Sequence, residues 1–217
     1  AMRLAGGLVG LATASAIGNP INLGNVRLNG VLNQSLSLSN LAAADGFSEN
    51  LDASLGGATT GITGSGALTG LAAGATNASA LVVGVNTASA GAKSGTVTVT
   101  LTSDGSGIDT LGTTPLGSQT VTVTGSVFRL ASAGSVAAVA FGNHHVNDTV
   151  SQTLAISNIA TADGFSENLD AALGTAPAGI TATGALTGLA AGASNTTNLS
   201  VGLDTTTAGV KSGPVPL

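Results

Sequence analysis

The sequence predicts an all-β protein made of two tandem immunoglobulin-like β-sandwich units, the second incomplete. Three observations lead there. Residues 21–99 lie over residues 139–217 without a gap, and 45 of the 79 pairs are identical, which sets a period of 118 residues. A fixed period without insertions marks duplication of one folding unit. Short stretches alternate apolar with small polar residues, the period of two expected of half-buried strands. No window carries the pattern of a long amphipathic helix, and the Ala-rich piece Leu71–Ala75 is broken by Gly74. A β-solenoid is the alternative, but solenoid rungs repeat about every 20–30 residues and no such short period runs inside a unit.

The elements follow in order. Residues 1–20 form an N-terminal apolar segment. Met2-Arg3 followed by LAGGLVGLATASA imitates a secretory signal with a small-residue site at Ala14-Ser15-Ala16. The repeat favours a different reading: Arg3-Leu4-Ala5 matches Arg129-Leu130-Ala131, so the segment is expected to be the tail of a preceding unit or a strand replacing it. It is too short and too rich in Gly to span a bilayer. The first unit covers residues 21–130, with strands expected at Leu32–Leu38, Ala80–Val85, Gly95–Leu101 and Gln119–Val127, where Thr and Val suit a pleated surface. Asp45-Gly46, Asp163-Gly164 and Ser103–Gly107 are turn signals. A junction over residues 131–138 is Ala-, Ser- and Gly-rich, and its counterpart Ala5–Pro20 is read as eight residues longer. So short a junction restricts swivel and predicts units stacked as a semi-rigid rod. The second unit, residues 139–217, has no counterpart of Thr100–Val127, so it is expected to lack its final strand.

Composition narrows the function classes. With 43% apolar residues but no Trp, no Tyr and four Phe, the core must be built from Val, Leu, Ile and Ala. The net charge is −5, and the five basic residues, Arg3, Arg27, Lys93, Arg129 and Lys211, are scattered singly. Phosphate recognition needs clustered Lys and Arg, which argues against nucleic acid as a partner. The absence of Cys leaves no disulfide framework and no thiolate site.

Four phrases carry a family resemblance: FGNHHVNDTVSQTLAISN (Phe141–Asn158), DGFSENLDA in both copies, TAGVKSG (Thr207–Gly213) and SQTVTVTGSVFRLA (Ser118–Ala131). Together they resemble bacterial choice-of-anchor D repeat domains, relatives of the abnormal-spindle and hydin type of immunoglobulin-like domain. The resemblance covers nearly the whole chain and implies secreted or surface-anchored repeat modules at the bacterial cell surface rather than a reaction. An anchor segment, which the family leads one to expect, is not seen in this sequence.

Candidate site residues are few. His144 and His145 are the only histidines; side by side on a strand they point to opposite faces and cannot chelate one ion. The first copy has Val26 and Arg27 there, so surface variation is the reading. DGFSENLDA supplies Asp45, Glu49 and Asp52, and again Asp163, Glu167 and Asp170, oxygen ligands of the kind that hold Ca²⁺. Their spacing fails the EF-hand template, and binding is expected at best at about 10⁻⁴–10⁻³ M. The favoured reading is an Asp-Gly turn leading into a strand, with Phe47 and Phe165 as the large core anchors. Paired carboxylates also suit a glycosidase, but without Trp or Tyr the sugar platforms are lacking. No nucleophile set, phosphate loop or zinc spacing is present, so no cofactor and no enzymatic activity are expected.

The expected function is a structural subunit of an extracellular filament or surface assembly that polymerises head to tail with itself by β-strand complementation. The donor is read as residues 1–20, with Leu4, Leu8, Val9, Leu11 and Ile17 as the assembly residues. A cell-surface or matrix contact is a further expected partner; the alternatives are a fragment of a longer surface-anchored rod or adhesin, and a Ca²⁺- or glycan-binding module.

Overall fold

The structure is a computed structural model and describes residues 7–217; Leu4 and the Arg3-Leu4-Ala5 match lie outside the described residues. The described residues contain strands and no helix, and they divide into two units after Val127. The fold is all-β and sandwich-like, and no solenoid is formed.

Unit 1 has eight strands: β1 (Ile21–Arg27), β2 (Asn33–Ser39), β3 (Asn50–Gly56), β4 (Ile62–Ser65), β5 (Ala67–Leu71), β6 (Thr76–Val85), β7 (Gly91–Asp104) and β8 (Thr113–Phe128). One sheet has the order β1-β8-β7-β3-β5 and the other β2-β6-β4. The long β7–β8 hairpin follows from Val/Thr alternation: Val97, Val99, Val121 and Val123 are fully buried while the Thr residues between them are not. Leu36, Leu38, Leu51, Leu81 and Val83 complete the core, each worth roughly 1.5–3 kcal/mol of burial.

That core overturns the aromatic anchors expected from sequence. Phe47 is 60% exposed, and Phe165 is only half-buried, its ring 5.6 Å from that of Phe128 at 49°. The Asp45 carboxylate accepts the Phe47 N–H at 2.9 Å, and this turn leaves Phe47 outside while Ser48 and Glu49 go in.

The opening segment of each unit also corrects the expected alignment. Gly10 bridges Ser48 in parallel and Ala14 bridges Asn40 antiparallel; in unit 2 Arg129 bridges Ser166 and Ala133 bridges Asn158 in the same senses. Leu8–Ile17 is thus the counterpart of Val127–Val136, not Arg3 of Arg129. The two segments then differ by a single residue in length rather than eight. Residues 10–17 are part of unit 1, with Ala12 and Ile17 buried. Residues 131–138 likewise belong to unit 2 and are not a spacer.

Unit 2 has β9 (Ser151–Thr153), β10 (Ile156–Ser157), β11 (Leu169–Ala172), β12 (Ile180–Thr183), β13 (Ala185–Leu189), β14 (Ser194–Asn195) and β15 (Ser200–Leu203). β12-β15-β9, β10-β14 and β11-β13 reproduce the pairings of β4-β6-β2 and β3-β5. The counterparts of β1 and β7, residues 139–145 and 209–217, form no ladder. In unit 1 β1 pairs with β8, and β7 lies between β8 and β3. One rung survives: Gly174 N–H donates to Pro216 O at 2.8 Å, in the register of Gly56 with Thr98. The core is smaller, built on Leu154, Ile156, Leu186, Leu189, Leu199 and Val201; Leu169 is half-buried where Leu51 is sealed.

Candidate functional site

The acidic residues of DGFSENLDA are mostly committed to the backbone. Asp45 and Asp163 accept the Phe47 and Phe165 N–H groups at 2.9 and 3.0 Å. Asp52 and Asp170 accept the N–H of Gly70 and Gly188 at 2.7 and 2.6 Å. Those glycines have φ of +66° and +71°, a left-handed turn that a side chain resists, and each sits in a bulge of its strand opposite the aspartate it serves. Asp163 also takes both of its oxygens to Arg129 Nη1, at 2.8 and 2.7 Å, and Arg129 Nη1 donates to Ser166 Oγ at 3.2 Å. The guanidinium holds the Asp163 carboxyl below its ordinary value, helped by the Phe165 N–H. Gly10 occupies the corresponding place in unit 1. Among the described residues, no three His, Asp or Glu side chains come together as a metal cluster.

Glu49 behaves differently from its fellow carboxylates. It is 2% exposed, and its Oε2 has no hydrogen-bond partner. A Cβ placed on Gly105 would lie 3.0 Å from Glu49 Oε1 and would collide with Asp109 Oδ1, so both carboxylates converge on that glycine. Asp109 Oδ2 is likewise buried and unpartnered. Glu167, its counterpart in unit 2, is half-buried.

Sequence reasoning missed the most connected side chain in each unit. Asn40, fully buried, accepts the Thr13 and Ala42 N–H groups at 3.1 and 3.2 Å and donates to Glu49 O and Leu71 O at 3.0 and 3.1 Å. Asn158 repeats the set with Ser132, Ala160, Glu167 and Leu189. The signal available was the Ser-Asn pair preserved in both copies amid changing neighbours.

The histidines do not lie on a strand, because β1's counterpart is not formed. His144 Nε2 is 2.7 Å from Phe141 O, its Nδ1 is 3.7 Å from Asp148 Oδ2, and the His145 backbone N–H donates to Asp148 Oδ2 at 2.8 Å. The cluster braces a turn.

The structure instead brings together an open groove in unit 2. Residues 136–142 form one wall and residues 211–217 the other, with Leu154, Leu173 and Val201 at the base and a cavity volume of about 530 Å³. The walls are the counterparts of β1 and β7, so the groove lies where unit 1 holds β8. Of the expected assembly residues, Leu8 is 95% exposed, Val9 half-buried, Leu11 exposed and Ile17 buried in unit 1. Among the described residues no helix is long and apolar enough to cross a membrane.

Compared with known proteins, the chain matches no family model and no curated sequence.

Proposed function

We propose that this chain is a non-enzymatic structural subunit of an extracellular assembly at a bacterial surface, extended by β-strand complementation at unit 2. The observation that carries this reading is the groove between residues 136–142 and 211–217. In unit 1 the counterparts of both walls pair with β8, so the groove fits one extended strand bonded along both of its edges. Such a strand gains main-chain bonds on two sides and buries alternate side chains, the mode of β-strand addition. Left open, the same edges are a template for unplanned pairing. The resemblance to choice-of-anchor D repeats supports the extracellular setting and a cell-surface or matrix contact.

Two measurements test it. A peptide of the Gln119–Phe128 sequence, titrated into the protein, should bind one per chain and raise the melting temperature of unit 2. Negative-stain microscopy of the purified protein should show ordered oligomers or filaments. A protein that stays monomeric at every concentration and takes up no peptide overturns the reading.

A further inference from the structure

Glu49 and Asp109 meet from distant parts of unit 1. Glu49 directly precedes β3, and its backbone N–H donates to Gly10 O at 2.8 Å, which ties it to the opening segment. Asp109 sits in the loop 105–112 between β7 and β8. That loop is drawn into a tight turn. The Gly105 carbonyl accepts the N–H groups of Ile108, Asp109 and Thr110 at 3.0, 2.9 and 3.0 Å, and the Gly105 N–H donates to Gly112 O at 2.8 Å. Asp109 Oδ1 accepts the Leu111 N–H at 2.8 Å, which fixes the carboxylate. Gly105 is buried, and because it has no side chain both acids reach it. Glu49 Oε1 lies 3.0 Å from the place a Cβ would take there, and Asp109 Oδ1 lies closer still.

Two carboxylates of like charge at one buried glycine call for a counter-charge. Glu49 is 2% exposed. Its Oε2 and Asp109 Oδ2 are both sealed from solvent, and among the described residues no hydrogen-bond donor meets either. Buried charges are ordinarily paired or coordinate a metal, because an unmatched charge out of water costs far more than a lost hydrogen bond. The neighbouring acids are not in this state. Asp104 gives Oδ1 to the Ser106 N–H and hydroxyl at 3.0 and 2.6 Å, and Asp45 and Asp52 accept backbone N–H groups.

We propose that Glu49 and Asp109 hold one divalent cation of the hard, oxygen-seeking kind that Ca²⁺ represents. Two positive charges match two carboxylates. Oxygens on opposite sides of a Ca²⁺, each at about 2.3–2.6 Å, lie about 5 Å apart. Glu49 Oε1 and Asp109 Oδ1, both within 3.0 Å of one point, are held to about that separation or less. Mg²⁺ keeps several waters in a strict octahedron, which suits sealed oxygens less well. The pair supplies at most four of the roughly six to eight oxygens that Ca²⁺ takes, and backbone carbonyls and water complete the shell. Affinity therefore falls in the weak range of about 10⁻⁴–10⁻³ M. This is not the Asp45, Glu49 and Asp52 set expected from sequence, of which only Glu49 takes part. The bound ion fastens the β7–β8 loop to the start of β3, and the site is independent of the groove in unit 2.

Calorimetric melts of the whole chain test the site, in chelator and in about 10 mM Ca²⁺ at matched ionic strength, so that screening of the net charge of −5 is equal. Ca²⁺ should raise the melting temperature of unit 1 by roughly 4–10 °C. Glu49→Gln and Asp109→Asn should each fold and melt no lower than the unaltered chain in chelator, and each should lose the Ca²⁺ gain. Asp45→Asn should keep it. Calorimetric titration of the unaltered chain should find one Ca²⁺ per chain, and Mg²⁺ at the same concentration should give a smaller gain. No gain in the unaltered chain, or a gain that survives either Glu49→Gln or Asp109→Asn, overturns the site. An equal gain from Mg²⁺ also overturns it, as does loss of the gain in Asp45→Asn, which would return the ion to the acidic turn.

Discussion

Asn40 ties Leu71 to the opposite sheet: its Nδ2 donates to the Leu71 carbonyl at 3.1 Å, and Asn158 does the same to Leu189 at 3.1 Å. Each asparagine uses both amide hydrogens and both lone pairs, the full capacity of the group. It follows β2 or β10; one partner, Ala42 or Ala160, lies in its own loop, and the others lie on the opening segment, the acidic turn and the end of β5 or β13. One buried side chain thereby joins four pieces of chain that are distant in sequence.

Asn40→Ala should therefore be among the most damaging single changes in unit 1. It takes this partner from the buried carbonyls of Glu49 and Leu71 and from the part-buried N–H groups of Thr13 and Ala42, each buried orphan costing about 1–3 kcal/mol before relaxation. A net loss of about 3 kcal/mol or more is expected, and a similar one for Asn158→Ala. Calorimetry suits a protein without Trp or Tyr. A loss below about 1 kcal/mol would show that water replaces the amide.

The two copies of the conserved Phe should respond differently. Phe47 is 60% exposed, so Phe47→Ala should change stability by no more than about 0.5 kcal/mol, as surface changes do. Phe165 stacks on Phe128, an aromatic pair worth about 0.5–1.5 kcal/mol beyond its burial, and Phe165→Ala should lower the melting temperature of unit 2. Equal effects at both positions would contradict the difference in packing.

The Arg129–Asp163 pair sets a pH dependence of known sign. The carboxyl is held below its ordinary value of 3.8 by the Arg129 hydrogen bond first and the Phe165 N–H second. A group depressed in the folded state contributes stability that is present above the unfolded value. That contribution is lost as pH falls through the folded one. Unit 2 should hence lose stability on acidification below about pH 4, and Arg129→Ala should flatten that part of the profile. Both side chains are about one-third exposed, and salt should weaken the effect. A profile indifferent to Arg129→Ala would show that the pair contributes nothing.

Strands were legible where pattern and burial coincide. At Gly95–Leu101 and Gln119–Val127 every second residue is sealed in the core, so Val/Thr alternation found β7 and β8. β1 and β5 escaped because they bury one and two residues, too few to set a period. Phe47 misled because size ranks burial only on average, while the Asp45 turn decides where this ring goes. The short Arg3-Leu4-Ala5 match outweighed the longer likeness of LVGLATASAI to VFRLASAGSV, because a shared charge stands out more than shared small residues. The bridges to Ser48 and Asn40, repeated at Ser166 and Asn158, fixed the true offset.

Glu49 offers the sharpest test of the buried polar groups. A carboxylate that is 2% exposed with Oε2 unpartnered carries a desolvation cost that no hydrogen bond offsets at that oxygen. Glu49→Gln keeps an oxygen at the Oε1 place and turns the orphan into an NH₂ group, and Asp109, whose Oδ2 also lacks a partner, converges on the same Gly105. One new hydrogen bond to a charged acceptor, with one buried charge removed, should stabilise unit 1 by about 1 kcal/mol or more. Asp109→Asn should act in the same direction, and the double change should gain less than the two single ones together, since each supplies the other's missing donor. A clear destabilisation by Glu49→Gln would show that the carboxylate's charge is matched by a cation in solution. Repeating the melt with and without millimolar Ca²⁺ would then identify it.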